Sequence, residues 1–212
     1  MPWPRNSIRA LVWDWNGTLL DDVDAGLTTT NQVLTEFGLP GLDGRDAYRR
    51  SFGFPIRDFY SRLGFAADEH FTAASTRYGE IFPVVLARSR LQQHAAEVLA
   101  AVRGRGVAQV LISATVTDAL HRQLAPHPVA ALVDEVLGSS DPLNPSKQDV
   151  VSDWLGAQPW RPDQVLMVGD TNHDEEIAAL LGTRFARFTG GHQHGGAGDV
   201  QIDDLRQVLD LL

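Results

Sequence analysis

The apolar positions of this sequence form short runs rich in Val, Ile and Leu, and these runs alternate with stretches of helical spacing. The short runs predict strands at 8–13, 107–112, 132–137, 164–168 and 183–188. The other stretches predict helices at 22–37, 94–103, 116–124 and 173–181, a helix that begins at Lys147, and a terminal helix from about 203. Strands that alternate with helices predict an α/β fold built on a mostly parallel sheet with right-handed crossovers.

Residues 21–88 interrupt this alternation after the first strand. From 43 to 88 the pattern is mostly helical, with breaks at 53–55 and near Gly64 and without a convincing buried strand. We therefore expect residues 1–20 and 89–212 to form an α/β core domain, and residues 21–88 to form a small inserted helical cap domain.

Composition narrows the class of protein and its compartment. The 212 residues are 43% hydrophobic and 21% charged, which is ordinary for a globular protein. No apolar run has the length of a membrane span, and residues 1–10 lack the apolar stretch of a signal peptide, so we expect a cytoplasmic protein. The absence of cysteine excludes disulfides and thiolate metal sites. A net charge of −9 and a pI near 5.1 argue against nucleic-acid binding.

Chemically active side chains follow four of the predicted strands. Residues 14–18 (Asp-Trp-Asn-Gly-Thr) follow the first strand, 113–115 (Ser-Ala-Thr) the second, Lys147 the third and 169–174 (Gly-Asp-Thr-Asn-His-Asp) the fourth. Because ligands of parallel sheets bind beyond the carboxyl ends of the strands, we expect these side chains to converge. Carboxylates, a hydroxyl and a lysine can together hold a hard divalent cation and a phosphoryl group.

The rarity of lysine in this chain makes residue 147 a candidate functional residue. The chain has 18 basic side chains, and Lys147 is the one lysine among them. An ammonium on a flexible stem fits a crowded site where a planar guanidinium does not, although a single residue can also be chance.

In these four segments the sequence resembles the haloacid dehalogenase superfamily. Residues 14–19 resemble its first motif, Asp-x-Asp-Gly-Thr-Leu, and Ser113 fits the apolar strand of the second motif, which ends in Ser or Thr. Lys147 fits the third motif, and 169–174 fit the fourth, Gly-Asp-x-x-x-Asp. The order and spacing are those of the family, the resemblance spans nearly the whole chain, and it is nearest to phosphoglycolate-phosphatase-like members with a C1 helical cap.

The resemblance implies a Rossmann-like core with an inserted cap, and a Mg²⁺-dependent phosphatase or phosphotransferase that acts on a small phosphorylated metabolite. It implies that Asp14 is the nucleophile, which forms an aspartyl phosphate, and that Mg²⁺ is held by Asp14, the backbone carbonyl of Asn16, Asp170 and Asp174. Ser113, Ala114 and Lys147 would contact the phosphoryl group. In the cap, Arg49 and Arg57 are candidates for binding an anionic substrate. No membrane partner is expected, and the chain would act as a monomer or a homodimer.

One motif position departs from the family pattern. The family's phosphatases have an aspartate two residues after the nucleophile, which protonates the leaving group, and here that position is Asn16. An amide does not give up a proton near neutral pH. Three outcomes stay open: another group, such as His173, Asp21 or Asp22, substitutes; the substrate has a good leaving group, such as an acyl or aryl phosphate; or the protein binds a phosphorylated ligand with little turnover.

Each candidate also has a structural explanation. Asn16-Gly17 is a strong turn signal. Asp170 and Asp174 can be acids at a helix N-terminus, and Ser113 can be a capping hydroxyl. The arginines of residues 43–88 can form a solvated helix face. The Gly- and His-rich segment 190–198, with His192 and His194, is expected to be a mobile surface loop, with a metal site or a border of the active-site mouth as alternatives.

Overall fold

The buried apolar runs form the strands of a parallel sheet in a computed structural model of the chain, which describes all residues except 1–2, 5–6, 141–146 and 196–199. The strands are β1 (Ala10–Trp13), β2 (Leu20–Asp21), β3 (Arg90–Leu91), β4 (Ala108–Val116), β5 (Glu135–Ser139), β6 (Val165–Gly169), β7 (Arg184–Phe188) and β8 (Gln201–Ile202). Six of them form one sheet in the order β5-β4-β1-β6-β7-β8, and every pairing in it is parallel. The predicted α/β parallel-sheet fold is confirmed.

Strand β1 lies at the centre of the sheet and is buried on both faces. Leu11 and Trp13 belong to one apolar cluster, whereas Ala10 and Val12 belong to a second cluster. Successive side chains of a strand point to opposite faces, so the two clusters are the two sides of the sheet, each covered by helices. A strand without a polar face explains why residues 10–13 show no alternation in the sequence.

The helices are α1 (Val23–Glu36), α2 (Gly44–Ser51), α3 (Ile56–Arg62), α4 (Asp68–Leu86), α5 (Ala95–Gly104), α6 (Thr117–Leu124), α7 (Val129–Leu132), α8 (Lys147–Gly156) and α9 (Asn172–Leu181). Most match the predicted positions to within a few residues. The predicted terminal helix from about 203 is instead a 3-10 helix, Leu205–Asp210, and strand β8 precedes it. In the described part of the chain, no helix combines the length and apolar character that crossing a bilayer requires.

Helices α1 to α4 lie between strands β2 and β3, which pair with each other in antiparallel fashion and leave the main sheet. These helices share an apolar cluster that includes Val33, Leu34, Phe59 and Phe65. The sequence did not predict β2 and β3, because two residues are too few to establish a period. The paired strands bring the two ends of the insertion together beside the end of β1.

Replacing Leu111 with alanine tests the importance of the sheet core. Leu111 lies in β4, is fully buried and belongs to the larger apolar cluster. We expect Leu111→Ala to lower the free energy of unfolding by about 2–5 kcal/mol, measured by urea denaturation. The matched control is Leu180→Ala at an exposed position of α9, where a change within about 0.5 kcal/mol is expected. Equal losses in both variants would contradict this assignment of the core.

Candidate active site

Asp14 follows the last residue of the central strand β1. Its backbone N–H donates to the carbonyl of Val168 in β6 (2.9 Å), which extends the sheet pairing to the residue that carries the carboxylate. The turn that follows depends on Gly17, whose φ is +78°. A Cβ there would lie 2.4 Å from Oδ2 of Asp170. The glycine therefore allows the turn to pass directly against the carboxylate that follows β6.

Three carboxylates meet at the carboxyl ends of β1 and β6. Asp14, Asp170 and Asp174 each offer one oxygen within 4.8 Å of the others. Asp170 is fully buried, and its oxygens accept hydrogen bonds from the Thr18 hydroxyl (3.0 Å) and the His192 N–H (2.6 Å). The residues predicted to lie together are therefore brought together.

Asp174 also has the structural role that its position in the helix allows. It caps α9 together with Thr171, whose N–H (3.1 Å) and hydroxyl (2.6 Å) both donate to Asp174 Oδ2. The other oxygen, Oδ1, stays with the central cluster. The interpretation of Asp174 as an acid at a helix N-terminus is confirmed, and its other oxygen stays available for the predicted role in the cluster.

Lys147 lies between the carboxylates of Asp14 and Asp174. It is the first residue of α8, it is buried, and its Nζ lies 2.5 Å from Oδ1 of both Asp14 and Asp174. A long single-point cation fits between two acids on different segments, which a guanidinium would not do in this space. This position gives the one lysine of the chain a physical reason.

Burial and mutual repulsion set the charge of the cluster. The pKa of Asp14 is raised to about 8, mainly by burial and also by the neighbouring Asp174 and Asp170, while Lys147 opposes the shift. Burial likewise raises the pKa of Asp170 to about 6. For Asp174 burial acts in the same direction, but the Lys147 ammonium outweighs it and lowers the pKa of that carboxyl. The acids in turn raise the pKa of Lys147 against the effect of its own burial.

This donor set fits a hard divalent cation. Every donor in the three-carboxylate cluster is an oxygen, which Mg²⁺ prefers over nitrogen or sulfur. The three carboxylates have the single ammonium of Lys147 between two of them, and burial is the main cause of the raised pKa values of Asp14 and Asp170. A cation among them would supply further positive charge.

The side chain of Asn16 is held by hydrogen bonds to two neighbouring side chains. Its Nδ2 donates to Oδ2 of Asp22 (2.7 Å), and its Oδ1 accepts from the hydroxyl of Thr115 (3.2 Å). The other oxygen of Asp22 accepts from the N–H of Gly17 (2.7 Å). Asp22 is fully buried, so the amide donor of Asn16 is committed to a carboxylate.

His192 completes this network. Its ring nitrogens lie 3.1 Å from Asp22 Oδ1 and 3.0 Å from the Tyr48 hydroxyl. Burial opposes protonation of the ring, but Asp22 outweighs that effect and raises the pKa of His192 to about 9. The expected mobile surface loop is therefore wrong for this residue, which is only 5% exposed and borders the site; the part of the segment at 196–199 lies outside the described residues. His194 is exposed.

Strand β4 continues beyond Ile112, where the sequence predicted that it would end. Ser113, Ala114 and Thr115 all belong to β4 and line the same cavity as Asp14. The Ser113 hydroxyl accepts a hydrogen bond from the Thr115 N–H (3.1 Å) and can still donate its own proton. A hydroxyl donor beside the carboxylate cluster is thus available to an anionic ligand.

The two arginines predicted to bind substrate lie elsewhere. Arg49 donates from α2 to the carbonyls of Thr189 and Gln193 in the loop after β7. Arg57 pairs with Asp68 and lies 4.6 Å from the ring centre of Phe71. The structure brings neither side chain into the cavity lining.

A cavity of about 350 Å³ opens beside the cluster. One end is lined by Asp14, Asn16, Ser113, Lys147 and Asp174, and the other end by side chains of residues 48–82. His173, which the sequence offered as a substitute acid, also lines it and stacks on Phe54 with ring centres 4.9 Å apart. Ligand sites commonly have this form, with a few convergent polar groups at one end of an apolar cleft.

Comparison with known proteins agrees with the fold and the motif order. The family model of the haloacid dehalogenase-like hydrolases matches residues 11–188. The chain therefore belongs to this hydrolase family, and the family resemblance noted in the sequence is confirmed.

Individual relatives are more distant. The chain is 24% identical to a phosphoglycolate phosphatase of Synechococcus elongatus, over 87% of this chain and 85% of that protein. It is 27% identical to phosphoglycolate phosphatase 1 of Pseudomonas aeruginosa, over 95% of this chain and 78% of that protein. A haloacid dehalogenase-like hydrolase from Streptococcus pneumoniae has the same fold, with a TM-score of 0.81 at 20% identity, covering 97% of this chain and 98% of that one.

Replacing Lys147 with methionine tests the balance of charge. The change removes the buried ammonium and leaves three uncompensated carboxylates, so we expect the free energy of unfolding in EDTA to fall by about 3 kcal/mol or more. The control is Arg161→Met, which breaks an exposed ion pair with Asp163 and should cost less than about 1 kcal/mol. If chemical denaturation gave similar small losses for both, Lys147 would not be the compensating charge.

Proposed function

We propose that this protein is a Mg²⁺-dependent phosphatase that acts on a small phosphorylated metabolite through an aspartyl phosphate on Asp14. The observation that supports this proposal is the convergence of Asp14, Asp170, Asp174 and Lys147 beside a cavity of about 350 Å³. Family membership supports a hydrolase, and the names of the relatives support phosphate esters as the class of substrate.

In this proposal each side chain of the site has a role that follows from its position. A carboxylate oxygen of Asp14 attacks phosphorus, and the bond from phosphorus to the leaving oxygen breaks. Lys147 holds the other Asp14 oxygen at 2.5 Å, which keeps the carboxyl oriented and favours its ionised form. The hydroxyl of Ser113, the N–H of Ala114 and the Lys147 ammonium bind the phosphoryl oxygens. A water molecule then attacks phosphorus, releases phosphate and restores Asp14.

Asp14, Asp170, Asp174 and the backbone carbonyl of Asn16 are the groups that would hold Mg²⁺. When bound, the cation offsets the charge of the carboxylates and of the phosphoryl oxygens. The turn at Gly17 and the close approach of Gly191, where a Cβ would lie 2.2 Å from Asp170 Oδ2, keep the Asp170 carboxylate fixed for this role.

Residues 21–88 act as the cap in this proposal. They contribute the apolar end of the cavity, and the paired strands β2 and β3 join them to the rest of the chain. A cap over the site excludes bulk water while phosphorus is transferred to Asp14.

The substitution at residue 16 limits the rate for substrates with poor leaving groups. Asn16 has no proton to transfer, and its amide already donates to Asp22. General acid catalysis is worth about 10²–10⁴ in rate, so hydrolysis of alkyl phosphates should be slow. The same observation favours a second candidate function, in which the protein binds a phosphorylated ligand with little turnover.

Replacing Asp14 with asparagine tests the proposed nucleophile. We expect the native protein to hydrolyse acetyl phosphate with Mg²⁺, and we expect EDTA or Asp14→Asn to abolish release of phosphate, because either change removes a required oxygen or its cation. Asp153→Asn, at an exposed position of α8, is the matched control and should keep full activity. Phosphate release that persists in Asp14→Asn would refute this mechanism.

Exchanging two residues tests the missing acid and separates the two candidate functions. Asn16→Asp alone would oppose two carboxylates, because Asp22 lies 2.7 Å from the Asn16 amide. The double variant Asn16→Asp, Asp22→Asn keeps the hydrogen bond and introduces a titratable group. We expect it to raise kcat for alkyl phosphates by about 10²-fold, more than the single change does.

The native rate decides between catalysis and binding in the same assay. Turnover of acetyl phosphate by the native chain supports the phosphatase. If the native chain binds phosphate analogues tightly and only the double variant turns over substrate, the result supports the second candidate function, a protein that binds a phosphorylated ligand. Intact mass shows whether Asn16, which precedes a glycine, has remained an amide during the assay.

A further inference from the structure

The end of the cavity that faces away from Asp14 is formed by aromatic rings. Its lining includes Tyr48, Phe52, Phe54, Phe59, Tyr60 and Tyr78 from the insertion. Several of these rings also contact one another, as Phe52 does with Tyr48, Phe54 and Phe59 at centre distances of 5.2 to 5.8 Å. Whatever is bonded to the phosphoryl group must therefore lie against an apolar, aromatic wall.

The cavity has no cation to spare for a negatively charged leaving group. Among the described residues that line it, the basic side chains are Lys147, His173 and His192. Lys147 contacts two acids, His192 contacts Asp22, and the ring of His173 stacks on Phe54. The sequence segments 141–146 and 196–199 contain no lysine or arginine.

The arginines of the insertion do not supply a cation to the cavity, because none of them is in its lining. Arg49 donates to carbonyls of the loop after β7, Arg57 pairs with Asp68, and Arg62 donates to the carbonyl of Ser51 at 3.0 and 2.8 Å. A carboxylate in this part of the cavity would lose its hydration without gaining a partner, which is strongly unfavourable. Phosphoglycolate, which carries such a carboxylate, therefore fits the wall poorly.

The neutral polar groups of the wall point to a different class of ligand. Tyr60 and Tyr78 belong to the lining, and burial raises the pKa of both phenols, which keeps their hydroxyls neutral. Phenol hydroxyls can donate to or accept from an uncharged substituent without the cost of burying a charge. The wall thus accepts a ring that carries neutral polar groups.

We propose that the substrate is an aryl phosphate, a phosphate monoester of a phenol whose ring carries no charge; this rests on the proposed function. A phenolate is stable enough to leave without a proton donor, which suits a site with Asn16 where the family has aspartate. Asp14 forms the bond to phosphorus, the bond between phosphorus and the aryl oxygen breaks, and the phenolate leaves with the electron pair. The phenolate takes a proton from solvent, and water then cleaves the aspartyl phosphate to phosphate and free Asp14.

The size of the cavity is compatible with this class of substrate. An apolar cavity of about 150 Å³ is enough for benzene. The space here is about 350 Å³, so a phosphoryl group and one or two fused rings can be accommodated.

Steady-state kinetics of the native protein with Mg²⁺ test the proposal with four substrates: phenyl phosphate, 1-naphthyl phosphate, acetyl phosphate and 2-phosphoglycolate. We expect kcat/KM for both aryl esters to exceed that for 2-phosphoglycolate by about 100-fold. Phenyl and 1-naphthyl phosphate have leaving groups of similar acidity, so a KM about 10-fold lower for the naphthyl ester reports contact with the wall.

The outcomes separate this inference from the proposed function. Hydrolysis of 2-phosphoglycolate as fast as that of the aryl esters overturns the inference. The inference is also overturned if the protein hydrolyses acetyl phosphate in an Asp14-dependent reaction but hydrolyses neither aryl ester. In that case the proposed phosphatase function is still supported. Failure on all four substrates overturns the phosphatase itself.

A charge placed in the wall gives an independent measurement. Ile56 lines the cavity and is 38% exposed, so Ile56→Arg can be tolerated by the fold. We expect it to lower kcat/KM for 1-naphthyl phosphate by about 10-fold and to improve hydrolysis of 2-phosphoglycolate. Val84→Arg, at a 72% exposed position of α4 outside the cavity lining, is the matched control. Equal effects of both variants on the naphthyl ester would overturn the proposal.

Discussion

The rest of the site depends on the repulsion among three buried carboxylates that the fold brings together. Asp14, Asp170 and Asp174 lie within reach of one another, and Lys147 provides part of the compensating charge. In water such groups would separate. They stay together because β1, β6, α8 and α9 fix their backbones, so the apolar core holds in place an arrangement that is unfavourable on its own. Burial and the neighbouring acids raise the pKa of Asp14 and Asp170, and the convergence of their oxygens is what suits the site to a divalent cation.

The sheet could be predicted because its information is local. Runs such as residues 10–13 and 165–169 are apolar on both faces, as a central parallel strand requires, and the helices between them are amphipathic. The elements that were missed are short or irregular. Strands β2 and β3 have two residues each, and the last segment forms a 3-10 helix because its apolar residues pack at a spacing that the sequence does not distinguish from α-helix. Their geometry is decided by partners elsewhere in the chain.

The candidate site was predictable only where a strand end marks the residue. Asp14 and Asp170 directly follow β1 and β6, and Lys147 begins α8, so the topology of a parallel sheet places them together; Ser113 joins them from within β4. The contact of His192 with Asp22 joins residues that are 170 positions apart, and no spacing rule anticipates it. The placement of Arg49 also depends on a distant loop, since the carbonyls of Thr189 and Gln193 accept its hydrogen bonds. The functions of all these residues remain predictions, whereas their positions are established.

The loop after β7 has a further consequence for the exchange of ligands. Tyr48 and Arg49 of α2 both bind it, and Gln193 contacts the carbonyl of Phe52 on one side and the N–H of Asn172 on the other. This loop therefore ties the insertion to the sheet through polar contacts, while the paired strands β2 and β3 join the two ends of the insertion. Any movement of these helices away from the sheet would have to break several of those contacts together. Because His192 belongs to the same loop, such a movement would also disturb its contacts with Asp22 and Tyr48.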